Sequence, residues 1–210
     1  MKNKQLYYFG GLIAGLFLFK RLIKKPGRIK DITNKLPKNG SWPFRPLSGV
    51  TDITLHHTAS SPDWTPERLA NLHIKDRRWP GIAYHFLVYE NGDIFQTNKL
   101  ESKTYHNGYN NTKAIGVSMV GNYETSYPTK KQIDSVEYLC KKLRKENKGI
   151  TRLIGHKEYP GASTVCPGSN VNISTFRELC GLVGPGGKSS SVSIKTLMDI
   201  NRYNPNEADN

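Results

Sequence analysis

A short apolar run that ends in two histidines constrains the fold of this chain more than any other stretch. Residues 53–60 read Ile-Thr-Leu-His-His-Thr-Ala-Ser, so aliphatic and β-branched side chains give way abruptly to imidazoles and small polar residues. Such a run is typical of a buried strand that ends at the rim of a sheet. In a strand, His56 and His57 point to opposite faces, so only one of them can be directed into a given site.

The residues after this strand alternate between strand and helix patterns. Pro66 after Thr65 predicts a helix that Pro80-Gly81 ends. Asn91-Gly92 lies between two strand-like runs and predicts a β-hairpin. Other strands are predicted at 50–55, 114–120 and 152–154, and other helices from the Thr129 capping box to Gly149 and over 175–182. This order predicts an α/β fold, with a single mixed central β-sheet flanked by helices.

The two ends of the chain differ in composition from the middle. Residues 1–25 contain an uncharged apolar run and are interpreted as a hydrophobic membrane-anchor or signal-like segment. An uncleaved anchor, a secretory signal peptide and an interfacial helix all remain open, because no A-x-A-like cleavage site follows and the positive charge is heavier on the C-terminal flank. Residues 26–49 are predicted as a linker, 50–183 as the globular domain, and 184–210 as a flexible linker and tail.

The charge is strongly positive but unevenly distributed. The net charge is +14, and residues 1–30 carry eight Lys and Arg residues with no acid. The rest of the chain has no basic run interleaved with aromatic residues, so we expect no nucleic-acid partner. Acidic cell-wall polymers and anionic lipid headgroups are the polyanions that remain. Three cysteines do not form a disulfide framework.

Three stretches of the domain carry side chains that can bind a metal. They are the histidine pair at 56–57, Gly155-His156, and the turn-rich segment Val165-Cys166-Pro167-Gly168. Zinc is the natural metal for mixed imidazole and thiolate ligands, and three protein ligands leave an open position for water. The alternative is an ordinary loop cysteine with surface histidines.

Four ordered motifs resemble a known family. They are LHHTAS (55–60), AYHFLVYENGDIFQ (83–96), YHNGYNNTKAIGVSMVGN (105–122) and GHKEYPGASTVCPG (155–168). Together they are similar to the zinc-dependent N-acetylmuramoyl-L-alanine amidases of the type-2 class, which includes amidase-type phage lysozymes and peptidoglycan recognition proteins. The resemblance covers about residues 50–182. It implies hydrolysis of the amide bond between N-acetylmuramic acid and L-alanine in peptidoglycan.

The resemblance also implies a ligand set. It assigns one zinc ion to His56, His156 and Cys166. Members of the family that only bind peptidoglycan lack this cysteine, so its presence favours an enzyme over a recognition module.

Further site roles follow from the same resemblance. It implies that Tyr84 and Thr164 are catalytic, Tyr84 by orienting water or assisting proton transfer and Thr164 by donating to the oxyanion. It implies that His106 and Asn107 bind substrate. We assign no catalytic role to His57, which should mainly affect stability.

Two other functions are considered beside a cell-wall amidase. One is a non-catalytic peptidoglycan-binding module, and the other is a basic nucleic-acid-binding protein with incidental histidines. The amidase would act as an endolysin or in cell-wall remodelling, with peptidoglycan as its partner. We expect a monomer that is membrane-associated or exported to the cell envelope, encoded by a bacterium or a phage.

Overall fold

A computed structural model describes residues 29–187. The predicted hydrophobic segment at 1–25 and most of the predicted tail therefore lie outside the described residues. The strands are β1 (Lys30–Asp31), β2 (Asp52–His57), β3 (Phe86–Val88), β4 (Ile94–Gln96), β5 (Ala114–Met119) and β6 (Arg152–Gly155). The α-helices are α1 (Pro66–Arg77), α2 (Lys130–Glu146) and α3 (Ile173–Cys180). None of the helices in this part of the chain has the length and apolar character needed to cross a membrane.

The six strands form one mixed sheet in the order β1-β4-β3-β5-β2-β6. β2 lies between β5 and β6 and is parallel to both. β3 and β4 form the antiparallel hairpin that Asn91-Gly92 predicted. The predicted α/β class with a single mixed sheet is confirmed.

Alternation along the adjacent strands β2 and β5 gives the sheet two different faces. Ile53 and Leu55 of β2 point into the larger core, where the helices α2 and α3 pack. On the opposite face, α1 packs in a smaller core beside β3. On this same face, next to the smaller core, β2 and β5 present only small or polar side chains. They are Asp52, Thr54, His56, Ala114, Gly116 and Ser118. This polar strip is the floor on which the site is built.

The helix starts follow the predicted capping signals. The Thr65 hydroxyl oxygen accepts a backbone N–H of the first turn of α1, with Pro66 at the first helical position. The capping box of Thr129 and Gln132 is present at the start of α2. This helix ends at Glu146, before the predicted stop, because the backbone of the next residue is already extended.

The described part of residues 26–49, predicted as a linker, packs against the sheet. β1 extends the sheet by pairing with β4, and Leu36 packs in the smaller core. The Arg45 side chain is only 1% exposed. Its guanidinium donates to carbonyl oxygens of Leu100, Asn111, Thr112 and Ala114. Five guanidinium N–H donors can be satisfied inside a protein when several carbonyls converge, and these carbonyls tie the segment to the domain.

Candidate metal centre

Two parallel strands bring the first two candidate ligands to the same edge of the sheet. His56 is the second-to-last residue of β2 and is 1% exposed. β6, its neighbour, ends at Gly155, and His156 begins the 3-10 turn His156–Glu158. The centroids of the two imidazole rings are 4.7 Å apart. Gly155 leaves room for its neighbours, because a Cβ there would lie 2.2 Å from Cδ1 of Ile173 and 3.2 Å from Cδ of Pro167, so the Ile173 side chain would have to move.

Cys166 approaches from the loop between β6 and α3. Its sulfur lies 3.5 Å from Nδ1 of His56 and accepts the backbone N–H of His57 at 3.4 Å. Its carbonyl oxygen accepts the backbone N–H of Lys157 at 2.8 Å. These contacts tie the loop both to β2 and to the turn after β6.

The three side chains form a cluster that fits a metal ion. The candidate ligand atoms of His56, His156 and Cys166 all lie within 4.8 Å of one another. Burial lowers the pKa of both imidazoles, so both are neutral and able to act as ligands. Burial raises the pKa of the Cys166 thiol to about 12. A thiol in this state releases its proton when a cation binds, and two imidazoles with one thiolate are a donor set that zinc prefers.

Tyr84 lies directly beside this cluster. Its ring centroid is 5.3 Å from that of His56. Burial raises the pKa of the Tyr84 phenol, and the nearby Cys166 raises it further. The phenol therefore keeps its proton at neutral pH and is a hydrogen-bond donor.

Thr164 is half-buried two residues before the cysteine. Its hydroxyl oxygen accepts the backbone N–H of Cys166 at 3.1 Å. The contact orders the approach to the cysteine and leaves the hydroxyl hydrogen available for donation.

His57 points to the other face of the sheet, as the strand pattern predicted. Its Nδ1 accepts the backbone N–H of Tyr123 at 3.2 Å, and the side chain is buried. The contact supports a structural role.

His106 and Asn107, which are predicted to bind substrate, both lie buried beside the candidate ligands. Only 6% of His106 and 3% of Asn107 are exposed. Both ring nitrogens of His106 contact protein atoms, one on His56 and one on the Ala114 carbonyl. The Asn107 amide donates to Thr54 Oγ1 at 3.1 Å. Both side chains therefore point inward, onto the polar strip of the sheet.

A buried hydrogen-bond network around Asp52 and Thr54 of β2, which was not predicted from the sequence, supports the site. Asp52 accepts from Nε of Arg152 at 2.7 Å and from the Tyr159 hydroxyl at 3.1 Å. The Thr54 hydroxyl lies 3.0 Å from the same tyrosine oxygen and also accepts from Asn107. The network holds the turn after β6 and the loop after residue 105 against β2.

Ser118 was also missed. It pairs in register with His56 on β5 and lies on the same face. Its hydroxyl is fully buried and interacts with the Tyr84 phenol, an interaction that lowers the pKa of Tyr84 and so opposes the effect of burial. The signal was present in the sequence, because Ala114, Gly116 and Ser118 alternate with larger apolar residues along this strand.

The family follows from comparison with known proteins. A family model described as N-acetylmuramoyl-L-alanine amidase matches residues 46–169, more than half of the chain. The chain belongs to this amidase family.

Relatives of this amidase-family chain include enzymes and recognition proteins. It is 29% identical over 133 residues to peptidoglycan-recognition protein SC2 of Drosophila simulans, covering 59% of this chain and 71% of that protein. Among solved structures, it is similar to the endolysin amidase LysCS from Clostridium intestinale, with 27% identity, a TM-score of 0.64, and coverage of 75% of this chain and 98% of the other. The Ph2119 endolysin of a Thermus scotoductus bacteriophage matches with 27% identity and a TM-score of 0.64, covering 73% and 99%.

Proposed function

We propose that this chain is a zinc-dependent hydrolase that cleaves the amide bond between N-acetylmuramic acid and L-alanine in peptidoglycan. The convergence of His56, His156 and Cys166 within 4.8 Å carries the proposal. Three protein ligands are the pattern of catalytic zinc sites, which keep a fourth position for water or substrate. A module that only recognised peptidoglycan would gain nothing from a buried thiol that faces two neutral imidazoles.

The residues around the cluster have distinct tasks in this proposal. When bound, zinc supplies an activated water near neutral pH and polarises the scissile carbonyl. Tyr84, which stays protonated beside His56, would orient the attacking water or assist proton transfer. Thr164 would donate its free hydroxyl hydrogen to the oxyanion that develops during attack.

We place this activity at the cell envelope, in cell-wall degradation of the endolysin type or in remodelling. Two named endolysins among the similar structures support this placement. The basic, apolar sequence of residues 1–25 would add contact with a membrane. We propose that the enzyme works as a monomer.

The direct test is release of new L-alanine amino termini from purified peptidoglycan. The chain should be active with zinc, inactive after chelation, and active again when zinc is restored. Cys166→Ala should abolish both zinc binding and release, whereas Cys140→Ala, a matched change in the buried face of α2, should retain both. Full activity of Cys166→Ala would refute the zinc site. Binding of peptidoglycan without any release would establish the recognition module instead.

A further inference from the structure

The second ring nitrogen of His56 is held by another histidine. Nδ1 of His56 faces the sulfur of Cys166, and Nε2 lies 3.0 Å from Nδ1 of His106. The two rings meet edge-on, with an interplanar angle of 89°. On its far side, Nε2 of His106 lies 3.1 Å from the carbonyl oxygen of Ala114.

The carbonyl oxygen fixes the position of every proton in this chain of contacts. A carbonyl only accepts, so Nε2 of His106 must carry a proton and donate it to Ala114. A neutral His106 then presents Nδ1 as an acceptor, and Nε2 of His56 must be the donor to it. With its proton on Nε2, His56 has an unprotonated Nδ1, and this is the nitrogen that faces Cys166.

We propose that His106 is a positioning residue that holds His56 in the tautomer whose Nδ1 lone pair faces the metal site, and so strengthens metal binding. The inference rests on the proposed zinc site, and it gives His106 a role different from contact with substrate. Metal-binding histidines usually donate their other N–H to a protein acceptor, and loss of such an acceptor weakens metal binding by about 10- to 100-fold.

The fold provides a dedicated place for the His106 ring. A Cβ on Gly116 would lie 2.8 Å from Cγ and 3.0 Å from Nδ1 of this ring, so the ring packs directly on the backbone of β5. The Ala114 carbonyl that orients the ring also accepts from Nη1 of buried Arg45 at 2.6 Å. Arg45 precedes the family match at 46–169, so a residue outside the matched region holds the acceptor that sets the tautomer.

Zinc affinity of the full-length chain, measured by competition with a chelator, tests the inference. His106→Leu removes the acceptor and should weaken zinc binding by about 10- to 100-fold. His106→Gln offers an amide oxygen to His56 and should recover most of this loss. Gly116→Ala keeps the imidazole but displaces it, so it should weaken zinc binding as His106→Leu does. The control is Val136→Ala, which creates a cavity in the larger core on the other face of the sheet. It should lower stability without changing zinc affinity.

A second measurement does not depend on metal. Two-dimensional ¹H–¹⁵N spectra of the imidazoles in the metal-free chain should show the Nε2–H tautomer for both His56 and His106. A His56 proton on Nδ1, or a folded His106→Leu variant with unchanged zinc affinity, would overturn the inference. Equal losses for His106→Gln and His106→Leu would also overturn it, because the acceptor would then not matter. If the unaltered chain binds no zinc, the proposed function is refuted, and the spectra of the metal-free chain still decide where the His56 proton lies.

Discussion

Acidification from pH 7.5 to 5.5 should strongly destabilise the metal-free protein, because its buried histidines are held neutral. Four of the six histidines are less than 10% exposed, namely His56, His57, His85 and His106. Burial lowers the pKa of each of them. The Nδ1 atoms of His57 and His85 accept backbone N–H groups at 3.2 and 3.0 Å, which favours a neutral ring, although the hydrogen bond of His85 with the Ser102 carbonyl raises its pKa in part. A proton on Nδ1 of His57 or of His85 would point at the backbone N–H group that this atom accepts.

The magnitude follows from proton linkage. Unfolded histidine titrates near pH 6.5, so the stabilisation is present above that pH and is lost as the pH falls through it. The pKa is well below its ordinary value in His56 and His85 and is lowered to about 3 in His106. One pH unit below the unfolded pKa, three such groups that stay neutral in the folded chain together cost about 4 kcal/mol. His57 adds less, because the Glu124 carboxylate partly opposes the effect of burial.

A loss of this size is a large part of the 5–15 kcal/mol that stabilises a typical domain, as a rough guide. Urea unfolding of the chelator-treated chain at pH 7.5, 6.5 and 5.5 measures it. The unfolding free energy should fall by about 4 kcal/mol, most of it below pH 6.5. His85→Gln should remove about a quarter to a third of the pH dependence, because one titrating group is lost. A change of less than about 1 kcal/mol would show that these imidazoles take up protons in the folded protein at nearly the same pH as in the unfolded chain.

Two further substitutions test packing around the site. Gly155→Ala should destabilise the protein by about 1–3 kcal/mol, since its Cβ would lie 2.2 Å from Ile173 Cδ1, whereas Gly49→Ala meets no atom within 4 Å and should be nearly neutral in thermal unfolding. Arg45→Met should cost about 3 kcal/mol or more in urea unfolding, because several buried carbonyls lose their donor. An unchanged midpoint for Arg45→Met would mean that water satisfies those carbonyls.

Sequence patterns predicted the elements of the fold because the signals are local. The Asn91-Gly92 turn and the caps at Thr65 and Thr129 each act over a few residues. The pairing of β2 with β6 could not be predicted in this way, because it joins residues about 100 positions apart in sequence.

The same distinction applies to the site. The convergence of His56, His156 and Cys166 was anticipated from motif order. The burial of His106 was not, because it depends on Gly116, ten residues later, which leaves room for the ring. Arg45 was missed for a similar reason, since its carbonyl partners come from distant loops.

The three candidate metal ligands come from parts of the chain that are far apart in sequence. His56 and Cys166 are separated by 110 positions, and the intervening residues include all six elements from α1 to β6. A cation bound by both would act as a reversible crosslink that closes this long loop. The unfolded chain would not hold these ligands together, so the cation would stabilise the folded chain by its binding free energy, about 2.7 kcal/mol at a concentration 100 times its dissociation constant. The availability of zinc would therefore decide how long the folded protein survives proteases, as well as whether it can act.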